Sequence, residues 1–245
     1  MTIQTRDGLL MQTIRLGGLL FETADSAELN YRAGLRDAML RTIGSSRFAI
    51  YHHVVRRRAE ATLRPVTADD FSARLDARWQ ERLGGKQLYV NELFVTIIRR
   101  PLQGRIGIAD RMRSFITGKS KRNAGQIAAE KHALDRAREA LMASLGAYEP
   151  QLLSIYDTPD GKRSEPLEFL SCLFNADPRP VALPHGDLGH FIPARRVSFG
   201  QDCVELGPAG PLARRFVAMV SIKDYPGATF PGMFDELYRL PFELH

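Results

Sequence analysis

The sequence predicts an α/β (α+β) fold, a mixed and partly antiparallel sheet with helices packed on it, in a single domain over residues 1–245. Two runs rich in Val, Ile, Phe and Tyr, residues 48–55 and 88–98, read as the main strands. Amphipathic helical periodicity separates and follows them. After residue 193, short apolar runs divided by Gly and Pro read as further antiparallel strands. With 245 residues, 44% hydrophobic and 25% charged, the chain can bury a sizeable core; domains ordinarily run to roughly 100–200 residues.

Residues 9–21 alternate loosely and carry Gly17-Gly18, which predicts one bent strand or two short ones. Asp25 or Ser26 caps a helix that puts Leu29, Ala33, Leu40 and Ile43 on one face and ends at Gly44. Residues 48–55 form a strand running out into Arg56-Arg57-Arg58. Thr67-Ala68-Asp69-Asp70 fits a capping box, and the helix it opens carries Phe71, Leu75, Trp79 and Leu83 at four-residue spacing up to Gly84-Gly85. Trp79 is expected to anchor the core. From about 122 to 145 a long helix places Ile127, Leu134, Leu141 and Leu145 on one face. A strand at 152–156 leads into the turn Thr158-Pro159-Asp160-Gly161, and a helix runs from Ser164 and Pro166 to about Phe174. Residues 177–193, with four prolines, predict an extended surface loop that serves as an interaction element. Strands are expected at 196–199, 203–206 and 216–222, and Thr229 caps a last helix over 230–240.

Several function classes find no support in the residues. The longest apolar stretches fall far short of the ~20 residues of a membrane-spanning helix, and the first residues lack the basic start and long apolar core of a signal peptide. Cys172 and Cys203 are expected to be buried free thiols. Gly118-Lys119-Ser120 approaches a phosphate loop, but the glycine required five residues earlier is Arg113. His185, Asp187 and His190 lie close together without the further ligand pair a zinc site needs, and read as a polar surface loop. His52 and His53, adjacent on a strand, point to opposite faces and cannot share a metal. Asp69-Asp70 and Asp235-Glu236 are explained by helix starts, where negative charge meets the helix dipole. No Gly-x-Ser-x-Gly elbow occurs. The expected site list is therefore empty for catalysis, cofactors and metals.

One electrostatic feature stands out. Residues 99–122 hold Arg99, Arg100, Arg105, Arg111, Arg113, Lys119, Lys121 and Arg122 against a single acid, Asp110; that segment carries +7 of a net charge of +6, so the rest of the chain is −1. Such a segment attracts phosphate, from nucleic acid or from anionic lipid headgroups. Phe115 is its one aromatic ring, fewer than a single-strand binder that stacks bases employs.

Two blocks carry a resemblance. The first is Glu22-Thr23-Ala24-Asp25, then Leu29-Asn30-Tyr31-Arg32, then Ser45-Ser46-Arg47-Phe48-Ala49-Ile50-Tyr51-His52-His53-Val54-Val55-Arg56-Arg57. The second runs from Ala218 through Ser221-Ile222-Lys223-Asp224-Tyr225-Pro226-Gly227 and Phe230-Pro231-Gly232-Met233-Phe234-Asp235 to Leu240-Pro241-Phe242-Glu243-Leu244. These resemble the N-terminal region of the CagE, TrbE and VirB family of type IV secretion and conjugation ATPases. The resemblance implies an assembly and docking domain, cytoplasmic and peripheral on the inner membrane. Its implied partners are inner-membrane channel subunits, including a small hydrophobic one, together with further copies of itself and anionic lipid. It also implies that ATP and Mg belong to a later RecA-like motor domain, so this chain is expected to hold no cofactor and no catalytic centre. The alternative is a nucleic-acid-binding module acting through residues 99–122.

Overall fold

A computed structural model of the chain describes residues 1–18, 25–44, 47–59, 69–84, 87–100, 124–208, 214–224, 226–228 and 233–244. Its elements, in chain order, begin with β1 (Ile3–Gln4), β2 (Leu10–Leu16), α1 (Ser26–Ile43), β3 (Phe48–Ala59), α2 (Asp70–Gly84) and β4 (Leu88–Arg99). There follow α3 (Ala124–Ser144), β5 (Gln151–Leu152), β6 (Ile155–Thr158), β7 (Gly161–Ser164) and α4 (Glu165–Asn175). The last strands are β8 (Val197–Phe199), β9 (Val204–Leu206) and β10 (Arg215–Val217). The mixed α/β class is as expected: the main sheet runs β1-β2-β4-β3 with β5 beside β2, and β6-β7 and β10-β9-β8 form two smaller sheets. By its packing the chain divides into two compact units, one of residues 1–53, 93–170 and 179–186, the other of 54–92, 171–178 and 187–245.

In the first unit, β2 pairs antiparallel with β4 from Leu10↔Arg99 to Leu16↔Leu93. Side chains alternate across a strand, so Leu10, Ile14 and Leu16 face one way together with Leu93, Val95 and Ile97. That face meets Met39 and Ile43 of α1 and Leu134, Leu141 and Leu145, the row expected of α3. The opposite face carries Thr13, hydrogen-bonded to Thr96 at 3.0 Å, and Phe94, whose ring packs against Phe169 of α4 at 4.6 Å between centroids. The α1 face differs from the expected one. Met39 and Ile43 are buried, whereas Leu29 and Leu40 are 40% and 42% exposed. The cap is Asp25, whose carboxylate accepts from the Glu28 amide. The β6–β7 hairpin closes at Thr158↔Gly161, with Gly161 at φ +121°, a conformation a Cβ would strain. Residues 181–183 of the proline-rich stretch are stitched to it: the Ser164 amide donates to Val181 and the Leu183 amide to Lys162.

In the second unit, Arg57 grips Glu92 with two hydrogen bonds of 2.7 and 3.1 Å. Asn175 ends α4 as a hub: its Nδ2 donates to the Ser171 and Ile192 carbonyls, and its Oδ1 accepts from the Ala194 and Arg195 amides. The Arg195 guanidinium, 1% exposed, faces Asp177 and donates to the Gly207 carbonyl. So Ile192, near the end of the expected 177–193 surface loop, and Ala194 and Arg195 just beyond it are pinned by polar contacts, the expected fate of backbone groups taken out of water. Three expectations fail here. The α2 cap is Asp69, which accepts from the Ser72 amide and hydroxyl, and Thr67 lies outside the described residues. The strand expected over 216–222 stops at Val217. The last helix is one short 3-10 stretch, Asp235–Arg239, and Thr229 lies outside the described residues.

Replacing Leu141 with Ala, at 1% exposure in the α1–α3–sheet core, is expected to cost about 2–5 kcal/mol by combining lost transfer energy with a cavity. Equilibrium urea unfolding measures it; a loss under 1 kcal/mol would contradict this packing.

Candidate docking surfaces

The basic residues proposed for lipid or nucleic-acid contact are only partly placed. Arg99 ends the helix-facing row of β4, is 9% exposed, and donates to Glu130 of α3. Its guanidinium also lies over the Phe48 ring, 4.8 Å from the centroid. Arg47 donates to the other Glu130 oxygen, and the Arg100 amide donates to the Arg47 carbonyl. Arg100 itself is exposed. Burial opposes ionisation of Glu130, but the hydrogen bonds from Arg47 and Arg99 outweigh it and hold the carboxyl below its usual range. Arg99 is thus committed to joining β4 to α3. Arg105, Arg111, Arg113, Lys119, Lys121 and Arg122 lie outside the described residues, as does Gly118-Lys119-Ser120.

The histidines behave as the strand geometry requires. His52 lies on the α1 side of the sheet, where burial and then the Arg36 charge hold it below its ordinary value. His53 turns to the other side, edge-on to Phe169 at 5.1 Å, and burial lowers it too. His185, Asp187 and His190 are all exposed, and Asp187 accepts from the Gly189 amide as the cap of a short 3-10 turn. Among the described residues no group of three His, Cys, Asp or Glu is placed to hold a metal. Cys172 is buried on α4, where burial and the negative charge of Glu92 push its thiol up to about 11. Cys203 is half-buried just before β9.

Each unit leaves an apolar surface uncovered among its described residues. In the first unit a cleft of about 460 Å³ opens between α1 and the end of α3. Tyr31, Leu35, Leu93 and Tyr148 give it apolar walls, while Arg36 and His52 stand among its lining. In the second unit α2 has no buried residue at all. Phe71, Leu75 and Trp79 are 71%, 61% and 55% exposed, so Trp79 is a surface residue and not the expected core anchor. Four-residue spacing drifts about 40° around a helix at each step, so the row from Phe71 to Leu83 spans about 120°, a stripe as fit for a core as for an uncovered face. Among the described residues no helix is long and apolar enough to cross a membrane.

Matches to known proteins give these surfaces a setting. Residues 1–106 fit the family model of the N-terminal domain of the type IV secretion system ATPase VirB4/TrbE. Residues 151–245 fit that of the CagE, TrbE, VirB family, a component of the type IV transporter system. The class is therefore a type IV transporter component. Within it, the chain belongs to the VirB4/TrbE family, as an N-terminal region. It is 32% identical over 237 residues to the type IV secretion system protein VirB4 of Bartonella quintana (strain Toulouse), covering 96% of this chain and 30% of that protein. The VirB4 protein of Brucella suis biovar 1 is 29% identical over 249 residues, 99% of this chain and 30% of its own length. PtlC of Bordetella pertussis is 25% identical over 255 residues, 99% and 29% respectively. The chain thus spans about 30% of the length of the curated relatives it matches.

Glu130→Gln is expected to lower stability by about 2 kcal/mol, since charged hydrogen bonds to Arg47 and Arg99 are lost in a partly buried setting. The depressed carboxyl gives the sign with pH: its stabilisation is present above the unfolded carboxylate value, about 4.3, and is lost as pH falls through the folded one. Thermal melts from pH 7 down to 3 should converge for the two proteins. For the thiols, iodoacetamide at pH 8 should modify Cys203 well before Cys172, since the reacting species is the thiolate; peptide mass mapping reads the order.

Proposed function

We propose that this region docks a type IV secretion motor onto inner-membrane channel subunits, a small hydrophobic one among them, and supports pairing of copies, with nucleotide chemistry carried by another part of the polypeptide. The protein would then sit on the cytoplasmic side of the inner membrane as a peripheral component, with anionic lipid facing the basic segment 99–122, to which Arg99 contributes least because it is committed inward. ATP and Mg would belong to a motor domain beyond this region. The observation that carries the reading is the uncovered stripe of α2. Leaving Phe71, Leu75 and Trp79 in water forgoes on the order of 3–6 kcal/mol that burial would contribute, and exposed apolar clusters of this kind mark interaction sites. Family membership supports an assembly role, and the inward commitment of Arg99 takes one cation from the nucleic-acid alternative.

The triple change Phe71→Ala, Leu75→Ala, Trp79→Ala should shift stability of this region by no more than about 0.5 kcal/mol per site, as for exposed positions. Introduced into the full-length protein, it should reduce co-purification of inner-membrane channel subunits at least tenfold. Unchanged recovery of those subunits would refute α2 as the docking element. Steeply salt-dependent binding of duplex DNA by the purified protein, lost when Arg105, Arg111, Arg113 and Lys119 are neutralised, would favour the alternative.

A further inference from the structure

In the second unit, Leu240–Leu244 lies along the outer edge of β3, and the contacts that hold it have an unusual composition. Arg56 and Leu244 exchange a pair of backbone hydrogen bonds, 2.7 and 2.9 Å long. The Arg56 Nε donates to the Leu240 carbonyl and the Tyr89 hydroxyl to the Pro241 carbonyl, at 2.9 and 2.7 Å. The Arg56 guanidinium is fixed for this by Asn91 and by the Tyr89 ring beneath it. The one side chain of the segment that the seat grips through polar contacts is Glu243: one carboxylate oxygen accepts from the Arg58 amide at 3.0 Å, the other from Arg215. Phe242 is 51% exposed. The seat therefore reads main-chain carbonyls, one backbone pair and one carboxylate, and half-buries Leu240 and Leu244 while leaving Phe242 outside.

A strand edge read in this way is open to any extended segment with a carboxylate at the right place, the logic of β-strand addition. We propose that Leu240–Leu244 is a displaceable strap and that the edge it covers, Arg56 to Arg58, is a docking site. Its ligand is an extended partner segment carrying a carboxylate followed by an apolar residue, the chemistry of Glu243-Leu244. Arg56 donates to the backbone of such a segment, while the Arg58 amide and Arg215 take its carboxylate. In the resting chain the strap competes as a tethered ligand, at an effective concentration on the order of millimolar, so the edge stays closed until the strap is loosened. This goes beyond the docking role assigned to α2 and needs neither lipid nor channel subunits, so its failure would leave that role standing.

The probe is a fluorescently labelled peptide, Leu-Pro-Phe-Glu-Leu-His, read by anisotropy against the intact chain and against two strap variants, Glu243→Ala and Leu244→Pro. Both variants should bind it at least tenfold more tightly than the intact chain, and the same peptide with Gln for Glu should bind them at least tenfold more weakly. Amide exchange of the intact chain gives an independent reading that survives a poorly folding variant: Arg56 and Arg58 amides should exchange at least tenfold faster than those of the β2–β4 ladder. Equal peptide binding by folded variants and intact chain, indifference to Glu against Gln, or Arg56 and Arg58 amides exchanging as slowly as the ladder would each overturn the proposal.

Discussion

The register of β2 against β4 is the constraint on which the first unit depends. Over seven paired positions, from Leu10↔Arg99 to Leu16↔Leu93, it assigns every side chain of two strands to one of two faces. One face, apolar but for Gln12 and Arg99, meets α1 and α3; the other carries the Thr13–Thr96 hydrogen bond and the Phe94–Phe169 contact. A slip of one residue would send Thr13 and Arg15 into the helical layer and Ile14 out of it. Arg99 shows how firmly the register is fixed. It lies on the helix-facing row, where a charge is costly unless paired, and Glu130 meets it there with a second cation, Arg47, on the other oxygen. The ion cluster thus lets the apolar row end in an arginine while still binding strand to helix.

What the residues made legible follows the strength of their periodicity. β3, β4 and α3 stand where Val/Ile-rich runs and a seven-residue apolar row predict them, and the hairpin at Thr158–Gly161 follows directly from its Pro-Asp-Gly turn. Misreadings cluster where a short apolar pattern fits two environments. Phe71, Leu75 and Trp79 look alike in a core or on an uncovered face, because a helix pattern records which side is apolar and not whether anything packs there. The run 216–222 has strand composition, yet Met219 and Val220 are 94% and 93% exposed and pair with no strand among the described residues; strand propensity mostly measures fit to a half-buried pleated surface. The polar stitching by Asn175, Arg195 and Glu243 left no periodic trace, since each contact joins residues far apart in sequence through single side chains.

Among the described residues, the titrating groups that depart from ordinary behaviour can be traced to the contacts around them. Active sites shift pKa values by combining burial with a specific charge partner inside a cleft, and leave the shifted group able to reach a substrate. Here Glu130 is held down by two arginines that saturate it, His53 is lowered beneath an aromatic ring, and the Cys172 thiol is raised inside α4. Each shift follows from a contact that builds the fold. His52 combines a lowered value with a place in an open cleft, where Tyr31, Leu35 and Leu93 give apolar walls and Arg36 opposes a second positive charge.

Two kinds of docking surface follow from these proposals, one uncovered on α2 and one closed by the strap, and they differ in what they can recognise. The α2 stripe presents area without direction: three large side chains reward any apolar complement and discriminate weakly among complements, so selectivity there must come from the charges beside them, Arg74, Arg78 and Arg82 among others. The β3 edge presents direction with little area. Its backbone pair fixes the orientation of an incoming segment and the Arg58 amide with Arg215 fixes one carboxylate, so affinity is modest but register is strict. Salt separates the two physically. Screening weakens the pairing of a carboxylate with Arg215, whereas burial of Phe71, Leu75 and Trp79 is insensitive to ionic strength at ordinary concentrations. A partner that engaged both would be held by the helix and aligned by the edge.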